Sequence, residues 1–274
     1  MKNFILRVIT GAAYVAAIFA ALFTTMPVFF AVFGIIMLFA LNEFYKNLKV
    51  KDITVDLVLS NALAVGIYLL PIVKFYSIKF PLLSIVIVLA LALFAIELFR
   101  NDEQPFQRIA FSLCGIVYVC VPFMLLAFFH GENVVAFGFF YYVSSYMILQ
   151  LFVFTWINDT FAYLTGMLLG KHPLCPKISP KKTIEGFAGG CFFTIVCAAV
   201  IGYVTDFQLW PNVGLAVLIV IASTLGDMVE SRFKRWVGVK DSGKMLPGHG
   251  GFLDRFDSVI FSIPIFFAYL QIFG

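Results

Sequence analysis

Apolar residues run in blocks close to 20 residues long from one end of the chain to the other, with the polar residues gathered between them. Nine such blocks cover residues 8–25, 27–45, 55–73, 81–99, 108–129, 143–170, 186–204, 211–230 and 257–273. Wound as α-helix at 1.5 Å per residue, a block of that length crosses a hydrocarbon core of about 30 Å. The pattern predicts an all-α, polytopic helical integral membrane protein with about nine transmembrane helices. Residues 134–170 as one helix would be on the order of 55 Å long, too long for one upright crossing, so 134–142 is predicted as an interfacial lead-in. Thr24-Thr25-Met26-Pro27 leads straight into the second block, and no small-residue cleavage site is evident. The first block is therefore predicted to be a retained helix and not a signal peptide. No internal repeat or low-complexity segment interrupts the series.

Composition agrees with this pattern and narrows the function. The chain has 274 residues, 62% hydrophobic and 12% charged, whereas a soluble domain carries about 25% charged residues. That excludes a secreted enzyme, a disordered chain and a nucleic-acid-binding domain. The five cysteines, Cys114, Cys120, Cys175, Cys191 and Cys197, form no CxxC pair, and all but one lie inside apolar runs. They read as small apolar residues, not as a disulfide framework or zinc site.

Charge distribution sets the topology. With nine spans and the N-terminus inside, 17 of the 19 Lys and Arg fall on inner segments, leaving only Lys74 and Lys79 outside. The positive-inside rule selects that arrangement, with a cytoplasmic N-terminus and an outer C-terminus. Residues 1–130 then supply about five spans. Residues 131–274 form a C-terminal region with two basic cytoplasmic loops, 171–185 and 231–256.

Beside each basic loop stands an acidic residue in or at the end of an apolar run: Asp159 and Asp227. A charge in a transmembrane segment is costly and marks function by default; the alternative is an interfacial carboxylate, solvated or paired with a nearby Lys. Asp254 and Asp257 are three residues apart, as are Asp227 and Glu230, and that spacing puts each pair on one helical face. Carboxylates among Lys and Arg suit Mg²⁺, which bridges one or two carboxylates to substrate phosphates. The cations suit polyphosphate. Pro247-Gly248-His249-Gly250-Gly251 is too flexible for a helix, and its bare backbone can approach a phosphate closely. Ser179 followed by Pro180 reads as an N-cap and first helical position, a helix start able to face an anion. Both segments are also compatible with plain turns. His249 reads either as a proton or phosphate-contacting donor or as a structural histidine. The chain has no GxxxxGK[ST], no HExxH and no GxSxG, so a nucleotide would have to be bound by the membrane protein's own loops.

The segment 231–257 resembles the signature of the phosphatidate cytidylyltransferases (CDP-diacylglycerol synthases). Its elements stand here as Ser231-x-apolar-Lys234-Arg235, Lys240-Asp241, His249-Gly250-Gly251 and Asp254-Arg255-x-Asp257. Asn158-Asp159-Thr160-Phe161-Ala162-Tyr163 and Lys177 to Gly186 are similar to the same family, with Asn158 replacing its usual small residue. The resemblance covers roughly the C-terminal half. It implies the reaction CTP + phosphatidate → CDP-diacylglycerol + diphosphate, dependent on Mg²⁺ with the number of metals open, at the cytoplasmic face of a bacterial inner membrane. It also implies a homodimer. On this reading Asp227 and Asp254 hold the metal, with Asp257 a third ligand or neighbour. Lys234, Arg235, Lys240 and Arg255 neutralise phosphates, and Ser179 and Lys182 contact nucleotide or lipid phosphate. Ser231 and His249 belong to the substrate-binding set, and Asp159 is either metal-associated or a clamp for a basic residue. Two rivals remain. A CTP-dependent polyprenol or other lipid kinase would move the γ-phosphoryl group instead. An ion-coupled transporter would need mid-bilayer charges and two similar halves.

Overall fold

The computed structural model of the chain describes residues 2–100, 104–130, 133–136, 139–142, 145–204, 209–248 and 250–273. An apolar helix stands at each of the nine predicted places. They are α1 (Lys2–Phe23), α2 (Met26–Leu48), α3 (Leu57–Tyr68) with α4 (Leu70–Phe75), and α5 (Leu82–Glu97). Next come α6 (Pro105–Gly115) and α7 (Val121–Phe129), joined by a π-helical turn at Ile116–Cys120. The C-terminal set is α8 (Ser145–Leu169), α9 (Ile184–Val204), α10 (Leu209–Val237) and α11 (Leu253–Phe273). Among the described residues, seven helices are long and apolar enough to cross a membrane, and Val8–Phe23 and Leu82–Glu97 are shorter apolar helices. The chain is an all-α, multi-pass membrane protein.

Local chemistry explains several boundaries. Asp56 caps α3, its carboxylate accepting the Leu59 N–H at 3.0 Å, which satisfies one of the first-turn donors. The third predicted span is broken between α3 and α4 at Leu69, where Pro71 supplies no N–H to continue the ladder. Residues 133–142 hold two short antiparallel strands, β1 (Asn133–Ala136) and β2 (Phe139–Tyr142).

The predicted helix start at Ser179–Pro180 is corrected. Residues Ser179–Thr183 form strand β4, paired antiparallel with β3 (Pro173–Cys175). The helix begins at Ile184, where Thr183 Oγ1 accepts the Gly186 N–H at 3.1 Å. The Ile184 N–H donates to the His172 carbonyl at 2.9 Å and closes the hairpin. The Ser-Pro pair suits a turn as well as a helix start, and the hairpin partner that decides between them lies several residues upstream.

The chain divides into two compact units. One comprises Met1–Gly131 and Trp236–Phe256, the other Glu132–Arg235 and Asp257–Gly274. In the first, α2 is the central element: Phe29, Phe33, Met37 and Tyr45 are fully buried, as is Phe123 of α7. The Tyr45 hydroxyl donates to the Ser112 carbonyl at 2.7 Å, and the Tyr68 hydroxyl to the Phe30 carbonyl at 3.0 Å. The amides of Asn42 and Asn61 bond each other reciprocally at 3.1 and 3.0 Å.

In the second unit, α8 and α9 pack closely because small residues face one another, as helices must where lipid supplies no hydrophobic drive to associate. A Cβ on Gly190 would stand 2.9 Å from the Asn158 carbonyl oxygen and 3.1 Å from Ala162. Polar bonds tie the remaining helices. Asn158 donates to Ser223 Oγ at 3.1 Å, Gln150 pairs with Asn212, and Asn212 donates to the Ala198 carbonyl at 2.6 Å. The departure from the family at Asn158 is thus a buried helix-to-helix bond. Gly190→Val is expected to cost about 1–3 kcal/mol by overpacking, read as a lowered melting midpoint in detergent. An unchanged midpoint would mean that α8 and α9 separate freely.

Candidate active site

In the first unit the signature segment folds into an irregular loop leading to α11. Gly248 and Gly250 take left-handed φ of 77° and 87°, a region closed to most side chains, and the turn they allow brings Leu246 into an antiparallel bridge with Gly250. The loop and the start of α11 border an open cavity of about 680 Å³ lined by Lys240, Lys244, Arg255, Asp241, Leu246 and the glycines 243, 248 and 250. That volume is within the roughly 300–1,000 Å³ of small-molecule sites. Three cations against one carboxylate, with bare glycine backbone between them, make a pocket for a polyanion. His249 lies outside the described residues.

Asp254 fixes the base of this loop. Its Oδ2 accepts the Ser242 N–H at 2.9 Å and the Gly251 N–H at 2.8 Å. The Asp254 N–H donates in return to Ser242 Oγ at 3.3 Å. Ser242 lies two residues from both Lys240 and Lys244, so these bonds set the backbone that carries the two cations.

The second unit gathers the other predicted residues. Lys182, at the α9 end of the β-hairpin, forms an ion pair with Asp227 of α10, both side chains half-buried. Ser231, one turn on, donates to Asp227 Oδ1 at 3.1 Å. Asp257 is buried on α11 and interacts electrostatically with Asp227, Asp159 and Lys234. The close approach of α10 and α11 that makes this possible occurs at Gly226, where a Cβ would meet the Asp257 carbonyl oxygen. Asp159 itself is exposed on α8, and Arg235 is exposed on α10. Lys234 is engaged by Glu230, which is fully buried one helical turn before it, the favourable order for such a pair. Its charge is thus already partly offset. The pairing of Asp227 with a nearby lysine is the alternative left open by the sequence, and it leaves a carboxylate, an ammonium and a hydroxyl gathered at one spot.

Among the described residues, no three His, Cys, Asp or Glu side chains converge as a preformed metal site. The donor chemistry nevertheless fits Mg²⁺, which needs only one or two carboxylates when waters and substrate phosphates complete its shell.

One residue escaped the sequence reading. Glu43 lies inside the second apolar block, yet it is buried and accepts bonds from the signature segment. The signal was present: the criterion that singled out Asp159 and Asp227, a charge within an apolar span, applies equally to it.

An anion pocket of Lys and Arg on a glycine loop, in a multi-pass membrane protein that also carries clustered carboxylates, is the equipment of a nucleotide-using membrane transferase. The chain belongs to the cytidylyltransferase family, whose profile matches residues 5–273. Among curated relatives, the phosphatidate cytidylyltransferase of Staphylococcus aureus (strain COL) is 37% identical over 237 residues, 85% of each chain. Those of Staphylococcus haemolyticus and Staphylococcus saprophyticus are 38% and 36% identical. The first alignment covers 84% of this chain and 85% of the relative, the second 89% and 93%.

Proposed function

We propose that this membrane protein catalyses cytidylyl transfer from CTP to phosphatidate, giving CDP-diacylglycerol and diphosphate, in phospholipid biosynthesis. The observation that carries the reading is the glycine-lined cavity edged by Lys240, Lys244 and Arg255. A phosphate oxygen of phosphatidate forms a bond to the α-phosphorus of CTP. The bond from that phosphorus to the oxygen bridging to the β-phosphate breaks, and diphosphate leaves with the electron pair. A phosphate monoester is largely ionised near neutral pH, its second pKa being about 6. The nucleophile therefore needs no strong general base; the barrier lies in bringing two anions together and holding them in line.

The residues divide that work. Lys240, Lys244 and Arg255 bind the polyphosphate, Arg255 in two-pronged fashion and the lysines as point charges. Lys182 and Ser231, held at Asp227, contact phosphate on exchange of their present partners, and Arg235 adds positive charge nearby along α10. Ser179 and His249 complete the substrate-binding set on the resemblance. Asp227 and Asp254 are the proposed metal ligands, with Asp257 a third ligand or neighbour and Asp159 a metal-associated or clamping carboxylate. Bound Mg²⁺ would neutralise phosphate charge and polarise the phosphorus–oxygen bonds. Positive charge concentrated on one set of loops supports an active site facing the cytoplasm of a bacterial cell membrane. A homodimer belongs to this reading on the family resemblance alone.

The test uses purified protein in detergent with phosphatidate, Mg²⁺ and CTP labelled at either the α- or the γ-phosphorus. The expected result is that α-label enters the organic phase, γ-label does not, and EDTA abolishes transfer. Transfer of γ-label alone would establish a lipid kinase. Transfer of neither in folded protein would end the enzyme reading and return the transporter.

A further inference from the structure

We infer that Glu43, on α2 and far from the signature segment in sequence, is a positioning residue that presets the nucleotide loop through Ser242 and Leu253. The inference rests on the cytidylyl-transfer reading above, because it concerns how the same cavity is held open for CTP.

Glu43 is buried to within 4% of full exclusion. Its Oε2 accepts the Ser242 hydroxyl at 3.1 Å and the Leu253 N–H at 2.9 Å. One carboxylate oxygen therefore grips both ends of the loop, before the glycines and after them. Ser242 is the hinge of the arrangement. Its hydroxyl donates to Glu43 and accepts the Asp254 N–H, while its own N–H donates to Asp254 Oδ2. From the same helix, one turn beyond Glu43, Asn47 Nδ2 donates to the Ser242 carbonyl at 2.8 Å. Hydroxyl, amide and carbonyl of one loop residue are thus all engaged, two of them by α2.

Packing enforces the same contact. A Cβ on Gly243 would run into Glu43 Oε1, and one on Gly251 into Glu43 Oε2 and Ser242 Oγ. The loop lies on the carboxylate with no spare space at either glycine. None of this requires Glu43 to line the cavity, and it does not. Its effect reaches substrate through the backbone that carries Lys240 and Lys244. Buried hydrogen bonds to a charged group resist being broken more than neutral ones, so the loop is held in the binding conformation before CTP arrives. A loop that must order itself on binding gives up affinity in proportion.

The experiment compares wild type, Glu43→Ala, Glu43→Gln, Ser242→Ala and the double variant Glu43→Ala/Ser242→Ala in the α-label assay, with CTP and phosphatidate varied separately. Glu43→Ala is expected to lower kcat/KM for CTP by about ten- to a hundredfold, leaving KM for phosphatidate within about twofold. Glu43→Gln keeps an acceptor oxygen and recovers most of the loss. Ser242→Ala adds little in the Glu43→Ala background, because both changes break one chain of bonds. A second readout needs no activity: trypsin should cut ligand-free Glu43→Ala faster than wild type after Lys240 and Lys244. If Glu43→Ala is not recovered folded, Glu43→Asp, which withdraws the carboxylate by one methylene, is measured in the same ways. Wild-type CTP kinetics and wild-type proteolysis in the variants would overturn the inference. So would equal losses for both substrates together with a lowered melting midpoint, since Glu43 would then serve stability alone. If wild type itself transfers no α-label, the failure belongs to the proposed reaction and not to Glu43.

Discussion

Asp254→Asn lowers cytidylyl transfer by about two to three orders of magnitude in protein that folds as wild type does. The two properties separate because the side chain has two kinds of work. Its structural work is to accept the Ser242 and Gly251 N–H groups on one oxygen, and an asparagine turned with its carbonyl oxygen inward accepts the same two donors. The charge is what the substitution removes. Asp254 Oδ2 lies against Gly250, which lines the cavity with Lys240, Lys244 and Arg255, and a cation arriving with the triphosphate would be held there. Loss of one preorganised electrostatic contact of this kind costs about 10²–10³ in rate. The measurement is initial rate with α-labelled CTP at saturating Mg²⁺, beside a melting curve of the same preparation. A rate within a few-fold of wild type would remove Asp254 from the metal and from the chemistry.

The second large effect is expected at Asp227. Asp227→Asn takes away the partner of Lys182 and weakens the bond from Ser231. Both members of the ion pair are half-buried, so its contribution to folding is small, on the order of 1 kcal/mol or less. Activity should nevertheless fall by about a hundredfold or more, because Asp227 holds Lys182 and Ser231 and is a proposed metal ligand. Lys182→Met in the same background restores neutrality at the pair and is expected not to restore the rate. Stability and rate falling together would make the pair a fold contact. Recovery of the rate by the second substitution would mean that only charge balance matters there.

The two variants address different parts of the molecule. Asp254 and Asp257, three residues apart in the signature, belong to different compact units. Asp254 is taken up by the loop, and Asp257 lies in the field of Asp159, Asp227 and Lys234. From sequence alone both carboxylates share a helical face, and spacing says nothing about which neighbours each one finds.

Much of the fold was legible because it depends on local quantities. A run of about 20 apolar residues is a helix length, and all nine blocks contain one. Clustering of Lys and Arg, glycines in Pro247 to Gly251, and carboxylates at block ends are equally local, so the cavity residues Lys240 and Arg255 were identifiable in advance. The Ser179 helix start failed for a specific reason. Ser-Pro is compatible with two local structures, and pairing with Pro173–Cys175 together with the Thr183 cap selects the strand. The charge of Lys234 is visible in the sequence, whereas its pairing with buried Glu230 depends on how α10 is packed.

The sequence by itself determined the membrane-spanning helical class, the places of the helices and the family signature, because run length, charge clustering and residue spacing all act over a few turns of chain. Only the tertiary structure decided which charges meet. Lys182 reaches Asp227 across the hairpin and α9, and Glu43 finds Leu253 from 210 residues away. A buried carboxylate must find donors somewhere, yet which donors it finds is set by how helices pack, and no local pattern encodes that.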